Sequence, residues 1–183
     1  MKVIFLDIDG VMNSEVFYVT RHNKQRIKTK FFSIVKFLFV HQSSQQIKKS
    51  HYKFRYLFKR LKEETDPSIW KILVSLVNEN DYKICISSSW KYLFKNLNDW
   101  DKALTKLGFK RNTFIGITPS IEGIRGEEIK AFCNRHDNIT SYVILDDDKD
   151  MLSEQLSSFI YVDRYTGLTP SNIANIKCLL EKQ

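Results

Sequence analysis

The chain has 183 residues, of which 43% are hydrophobic and 27% charged, which fits one globular domain or one domain with an insertion and excludes a disordered chain. Its formal net charge is +8, and the charge is unevenly distributed. Residues 14–62 contain 13 Lys or Arg and one acid, whereas the rest of the chain is mildly acidic.

Apolar runs of strand length recur along the chain, starting with Val-Ile-Phe-Leu at residues 3–6. This run, rich in β-branched and aromatic residues, predicts a buried parallel strand. Four later runs, residues 83–87, 113–117, 142–145 and 159–162, predict further short buried strands.

Helical patterns separate these strands. Asp66-Pro67 predicts the start of one helix and Gly108 the end of a second near Leu107. A third helix should follow Arg125-Gly126, and the last should begin at Thr169-Pro170. Alternating strands and helices predict an α/β fold, a parallel sheet with helices on both faces, built from residues 1–13 and 67–183.

Residues 14–66 differ from this pattern because they are basic, rich in Phe and Tyr, and lack glycine and proline. Phe54, Leu57, Phe58 and Leu61 fall at helical spacing, and residues 31–40 could form another helix. We interpret the segment as a mostly helical cap, inserted after the first strand and lying over the carboxyl edge of the sheet.

Targeting and membrane signals are lacking, since the sequence opens on a strand and its longest apolar run, residues 31–40, contains Lys36. The three cysteines, Cys85, Cys133 and Cys178, have no paired spacing and are interpreted as buried thiols in a reducing compartment. We therefore expect a cytoplasmic protein without a membrane span; the oligomeric state is left open.

Polar clusters follow the strands or open a helix at four places. Asp7 and Asp9 follow the first strand, where Gly10 permits a sharp turn, and Ser87-Ser88-Ser89 follows the second. Arg125 opens a helix, and Asp146-Asp147-Asp148 follows a later strand, with Asp150 close behind. Ligands of open α/β sheets bind at the carboxyl ends of the strands, so the clusters predict one site there.

The phrases FLDIDGVMN, ISSSW, GITPSIEGIRGEEI, YVILDDDKDM and VDRYTGLTP resemble the haloacid dehalogenase (HAD) superfamily of aspartate-nucleophile phosphohydrolases. Within it, the chain is most similar to the HAD domain of "Swiss Army knife" RNA-repair proteins, a group related to the phosphatase half of bacteriophage polynucleotide kinase-phosphatase. The resemblance covers residues 3–13 and about 67–183. It implies a Rossmann-like HAD fold.

The resemblance implies a role for each matched residue. Asp7 would attack phosphorus, and Asp9 would act as the general acid and base. Mg²⁺ would be held by Asp7, the Asp9 backbone carbonyl, and Asp146 or Asp147. Arg125, where the superfamily more often has lysine, would bind a phosphate oxygen.

Other candidates remain open. Ser87 is the first choice for the phosphate-binding hydroxyl, with Ser88 and Ser89 as competitors or helix caps. Lys130 is a weaker phosphate ligand than a solvated helix-face lysine. Asp148 and Asp150 could orient the metal ligands or form a loop, and a loop is favoured for Asp148.

Basic residues can follow a nucleic-acid backbone while aromatic residues stack on bases. We therefore expect nucleic acid as the partner of the basic cap, and removal of terminal 3′-phosphates as the reaction. In the alternatives, the aromatics form the core of the cap, or residues 31–40 lie on a membrane surface. For the whole chain the alternatives are a small-molecule phosphatase such as a nucleotidase and a non-catalytic nucleic-acid-binding module. No GxxxxGK[ST] segment occurs, so no kinase half is expected.

Overall fold

The computed structural model describes residues 1–21 and 49–182, and the side chains from residue 54 onward in the second range. The strands are β1 (Lys2–Leu6), β2 (Lys83–Ile86), β3 (Phe114–Ile117), β4 (Ser141–Asp146) and β5 (Phe159–Tyr161). They form one parallel sheet of order β3-β2-β1-β4-β5. Every predicted strand is present, and β1 is central between β2 and β4.

The helices surround this sheet. They are α1 (15–21 within the described residues), α2 (Lys49–Glu64), α3 (Pro67–Asn80), α4 (Leu97–Leu107), α5 (Arg125–Cys133) and α6 (Pro170–Lys182). Two 3₁₀ helices cover Ser89–Tyr92 and Ser153–Ser158. The predicted helix or membrane-surface segment over residues 31–40 lies outside the described residues.

The local signals act as predicted. The Asp66 carboxylate accepts a hydrogen bond from the Ser68 N–H at 2.8 Å, and Pro67 takes the first position of α3, where a missing N–H costs nothing. Gly108 ends α4 in the left-handed conformation, with a φ of 114°.

The core lies on both faces of the sheet. Val3 and Phe5 of β1 pack on one face with side chains of α5, including Ile129 and Phe132. Ile4 and Leu6 point to the opposite face, into a larger cluster contributed by α2, α3, α4 and α6. The Rossmann-like fold with helices on both faces is therefore confirmed. Leu57 and Leu61 of α2 belong to this larger cluster, and the division of the chain into core and cap stays a prediction.

The cysteines differ in exposure. Cys85 is buried in β2 and Cys133 is half-buried, but Cys178 is exposed. The buried-thiol interpretation is wrong for Cys178, because Ile176 and Leu180 are the residues of α6 that face the core and a residue two positions away points outward. Within the described ranges, no helix combines the length and the apolar character needed to cross a bilayer.

Candidate active site

Strands β1, β2 and β4 bring the predicted residues to one edge. The Asp7 N–H donates to the Leu145 carbonyl at 3.0 Å, and the Ser87 N–H donates to the Leu6 carbonyl at 2.9 Å. These bonds continue the parallel ladder beyond the end of β1. Asp7, Ser87 and Asp146 therefore lie at the carboxyl edge of adjacent strands.

Three carboxylates form the centre of this site. Asp7, Asp146 and Asp147 each offer one oxygen, and these oxygens all lie within 4.8 Å of one another. Burial, together with the charge of Asp146, raises the pKa of Asp7 to about 8, although Arg125 opposes the shift. Burial also raises the pKa of Asp146 to about 6. Bringing these charges together is costly, and a cation would relieve the cost.

The donor set fits Mg²⁺, which prefers carboxylate, carbonyl and water oxygens. Among the described residues, the buried Oδ2 of Asp146 has no hydrogen-bond donor, so it is available to a cation. The Asp9 side chain is not a member of the carboxylate cluster, and its predicted contribution is the backbone carbonyl. The ligand set stays a prediction.

Arg125 is the cation that faces the carboxylates. Its Nη1 donates to Asp7 Oδ1 at 3.2 Å and lies 3.6 Å from Asp146 Oδ2. Burial opposes its charge, but Asp7 and Asp146 outweigh burial and raise the pKa of the guanidinium. Asp150 fixes its backbone, since the Arg125 N–H donates to Asp150 Oδ2 at 2.9 Å. Asp150 thus caps α5 instead of belonging only to a loop.

Gly10 lets the Asp147 carboxylate approach the turn after β1. The residue has a φ of +74°, and a Cβ built on it would lie 2.3 Å from Asp147 Oδ2. On its other side, Asp147 Oδ2 lies 3.1 Å from Nε of Arg164, which follows β5 and is 67% exposed. Sequence reasoning quoted the VDRYTG motif but gave Arg164 no role.

Asp9 is held by two donors that sequence reasoning missed. The indole Nε1 of Trp90 donates to Asp9 Oδ2 at 2.9 Å, and Asn13 Nδ2 donates to Asp9 Oδ1 at 2.9 Å. The guanidinium carbon of Arg60, from α2, lies 4.3 Å from the centroid of the Trp90 ring. Both oxygens of Asp9 are therefore oriented, and helix α2 contacts the residue that orients one of them.

The three serines have different environments. The Ser87 hydroxyl is buried and has no hydrogen-bond partner within the described part of the chain. The Ser88 hydroxyl hydrogen-bonds the Asp7 carboxylate, which lowers the pKa of Asp7, and it also caps the 3₁₀ helix by accepting from the Trp90 N–H at 3.4 Å. Ser89 is exposed. Ser87 and Ser88 thus both line the site.

Two remaining candidates have local structural partners. Lys130 is exposed and its Nζ lies 2.9 Å from Glu154 Oε1, as a solvated helix-face lysine would. The Asp148 N–H donates to Asp146 Oδ1 at 2.9 Å, so the loop itself orients that carboxylate.

A buried ion pair lies beside Arg125. The ammonium of Lys91 pairs with Glu128 Oε2 and also donates to Thr118 Oγ1 at 3.0 Å and to the Pro119 carbonyl at 3.1 Å. The two side chains are 2% and 7% exposed. Glu128 Oε2 lies 4.0 Å from Nε of Arg125. The only signal in the sequence was Glu128, three residues after Arg125 and hence on the same helix face.

A parallel five-stranded sheet with this acidic site at its carboxyl edge defines a HAD-type hydrolase. The sequence profile of the family described as "HAD domain in Swiss Army Knife RNA repair proteins" matches residues 3–173, and the chain belongs to this family. Comparison with curated proteins and with solved structures found no match. The family match confirms the predicted resemblance and supports a phosphatase connected with RNA repair. HAD domains generally use Mg²⁺, in agreement with the carboxylate cluster.

Proposed function

We propose that the chain is a Mg²⁺-dependent phosphomonoesterase that removes terminal phosphates, most plausibly 3′-phosphates, from nucleic acid. The observation that carries this proposal is the buried Asp7 carboxylate, which faces Arg125 at 3.2 Å and shares its edge of the sheet with Asp146 and Asp147. A nucleophile, a phosphate-binding cation and a set of metal ligands are the parts that phosphoryl transfer needs.

In the first step, an oxygen of Asp7 forms a bond to phosphorus while the bond from phosphorus to the ester oxygen breaks. Asp9 gives its proton to the departing alkoxide. Trp90 and Asn13 hold the Asp9 carboxyl by its two oxygens, which fixes the direction of this proton transfer.

In the second step, a water molecule gives a proton to Asp9 and its oxygen attacks phosphorus, while the bond from phosphorus to Asp7 breaks. Inorganic phosphate leaves and both carboxyl groups return to their first states. Arg125 and the hydroxyls of Ser87 and Ser88 bind phosphate oxygens throughout. Mg²⁺, held by Asp7, the Asp9 carbonyl and Asp146 or Asp147, would neutralise charge on the phosphoryl group.

Nucleic acid as the substrate is supported by the charge of residues 14–62, which contain 13 cations and one acid. Such a segment favours binding of a polyanion over binding of a small neutral ester. The described part of this segment, helix α2, contacts the site through Arg60 and Trp90.

The experiment is a phosphate-release panel with Mg²⁺, covering 3′- and 5′-phosphorylated oligonucleotides and free mononucleotides. The proposal expects the highest kcat/KM on 3′-phosphorylated oligonucleotides, with a rate that falls as salt is added. Hydrolysis confined to mononucleotides would favour a nucleotidase instead. Oligonucleotide binding with no phosphate release from any compound would favour a binding module.

A further inference from the structure

Helices α2 and α4 form a basic groove on the face of the sheet opposite α5. One cavity of about 510 Å³ is lined by Phe54, Phe58 and Lys106, and an adjoining cavity of about 500 Å³ shares Phe54 and Lys106 with it. We call the two together the α2–α4 groove. None of its lining residues belongs to the catalytic set.

The charge of the groove is strongly positive. Six exposed cations line it against two acids, Glu63 and Asp101; the cations are Arg55, Lys59, Lys62, Lys102, Lys106 and Arg111. The single ion pair printed between these groups joins Lys59 and Glu63 at 4.0 Å, and both side chains are exposed. An exposed pair at that distance contributes little, so most of the positive charge is available to a partner.

Two aromatic rings lie between the cations. The rings of Phe54 and Phe58 are nearly parallel, with an interplanar angle of 15° and centroids 6.2 Å apart. Lys106 Nζ lies 5.1 Å and 5.3 Å from the two centroids. Apolar ring surface bordered by mobile cations matches a ligand that alternates flat bases with charged phosphates.

Helix α2 connects this groove to the active site. Lys59 lines the groove, whereas the next residue, Arg60, turns towards the Trp90 ring at 4.3 Å. Trp90 in turn donates to Asp9, the proposed acid for the leaving group. A strand whose terminal phosphate reaches Asp7 would therefore leave the site on the side of α2.

We propose that the α2–α4 groove binds the single-stranded segment of nucleic acid next to the phosphorylated end, contacting its phosphates through Lys62, Lys106 and their neighbours. The identity of the strand as substrate rests on the proposed function, but its binding does not. The groove includes α4, so the nucleic-acid surface extends beyond the basic insert onto the conserved-fold helices of the sheet.

The test is fluorescence anisotropy with a labelled single strand of about 12 nucleotides that ends in a 3′-hydroxyl, so that binding is measured without turnover. The variant is Lys62→Gln with Lys106→Gln. Each lost phosphate contact on a single strand removes about 0.7 from the slope of log K against log salt, which is about fivefold at 0.1 M salt. The variant should therefore bind about 25-fold more weakly, with a slope smaller by about 1.4.

The matched control is Arg135→Gln with Lys177→Gln, which removes the same charge from exposed residues outside the groove. It should bind within about twofold of the wild-type protein. Equal losses in the two double variants, or no loss in either, would overturn the proposal. Displacement of the strand by poly-glutamate at equal charge concentration would also overturn it, in favour of an acidic protein partner.

The two proposals fail in different ways. Loss of binding in the groove variant, in a protein that releases no phosphate from oligonucleotides, would refute the proposed function alone. Unchanged binding and unchanged kcat/KM on oligonucleotides in the groove variant would refute the groove alone.

Discussion

The buried pair of Lys91 and Glu128 gives the most quantitative prediction. Lys91→Met keeps an unbranched side chain of similar length but removes the charge. Glu128 would then be left 5% exposed without its main partner. Breaking a buried ion pair from one side costs about 3–5 kcal/mol. For a chain of this length, about 2–4 °C of Tm is lost for each kcal/mol, so the melting temperature should fall by about 6–20 °C.

The exposed pair of Lys130 and Glu154 supplies the matched control. Its atoms are 2.9 Å apart, but its side chains are 50% and 55% exposed. Lys130→Met should therefore cost at most about 1 kcal/mol. Differential scanning calorimetry of both variants makes the comparison. Equal shifts in Tm for Lys91→Met and Lys130→Met would refute the reasoning.

The pair should also affect catalysis through Arg125. Glu128→Gln keeps the shape of the side chain but removes the charge that lies 4.0 Å from the Arg125 guanidinium. Because Arg125 is proposed to bind the phosphate, KM for phosphate esters should rise by about two- to tenfold, in line with loss of a partly buried electrostatic contact. An unchanged KM would mean that Glu128 supports only the fold.

Three more predictions concern the other partners of the site. Trp90→Phe removes the N–H that orients Asp9, a bond to a charged group, so kcat should fall about 10- to 100-fold in steady-state assays. Gly10→Ala would place a methyl group against Asp147 and strain a φ of +74°, so calorimetric titration should show Mg²⁺ affinity lower by about tenfold. Since burial raises the pKa of Asp7 to about 8, the folded state binds more protons than the unfolded state from about pH 4 to that value, and metal-free stability should fall as pH rises; Mg²⁺ should therefore raise Tm more at pH 8 than at pH 6.

Matched variants separate these effects from general damage. Trp100→Phe also removes a buried indole donor, to the Phe94 carbonyl at 2.8 Å, and should leave kcat unchanged. Gly123→Ala substitutes another glycine of positive φ, but its Cβ would meet nothing closer than 3.9 Å, so Mg²⁺ affinity should not change. Equal Tm gains from Mg²⁺ at the two pH values would contradict the linkage to Asp7.

The fold was largely predictable from sequence because its signals are local. A fully apolar run gives a buried parallel strand, and a cap followed by proline gives a helix start, as at Asp66-Pro67. The edge of the sheet that carries Asp7 and Asp146 follows from the order of strands and helices alone.

The partners of the site were not predictable in this way because they depend on contacts between distant residues. Trp90 meets Asp9 across 81 positions of the chain, and Lys91 meets Glu128 across 37. In sequence, an isolated tryptophan or lysine after a serine run carries no mark of its partner. Sequence also assigned Cys178 to a buried position, because an apolar neighbourhood does not define which way one helical residue points.

The central claim is that Asp7 is the nucleophile of a phosphomonoesterase. The most direct measurement is release of inorganic phosphate from a 3′-phosphorylated oligonucleotide with Mg²⁺, by the wild-type protein and by Asp7→Asn. The account predicts turnover by the wild-type protein, and for Asp7→Asn a complete loss of turnover with the oligonucleotide still bound. Turnover that persists in Asp7→Asn, or its absence in both proteins, would contradict it.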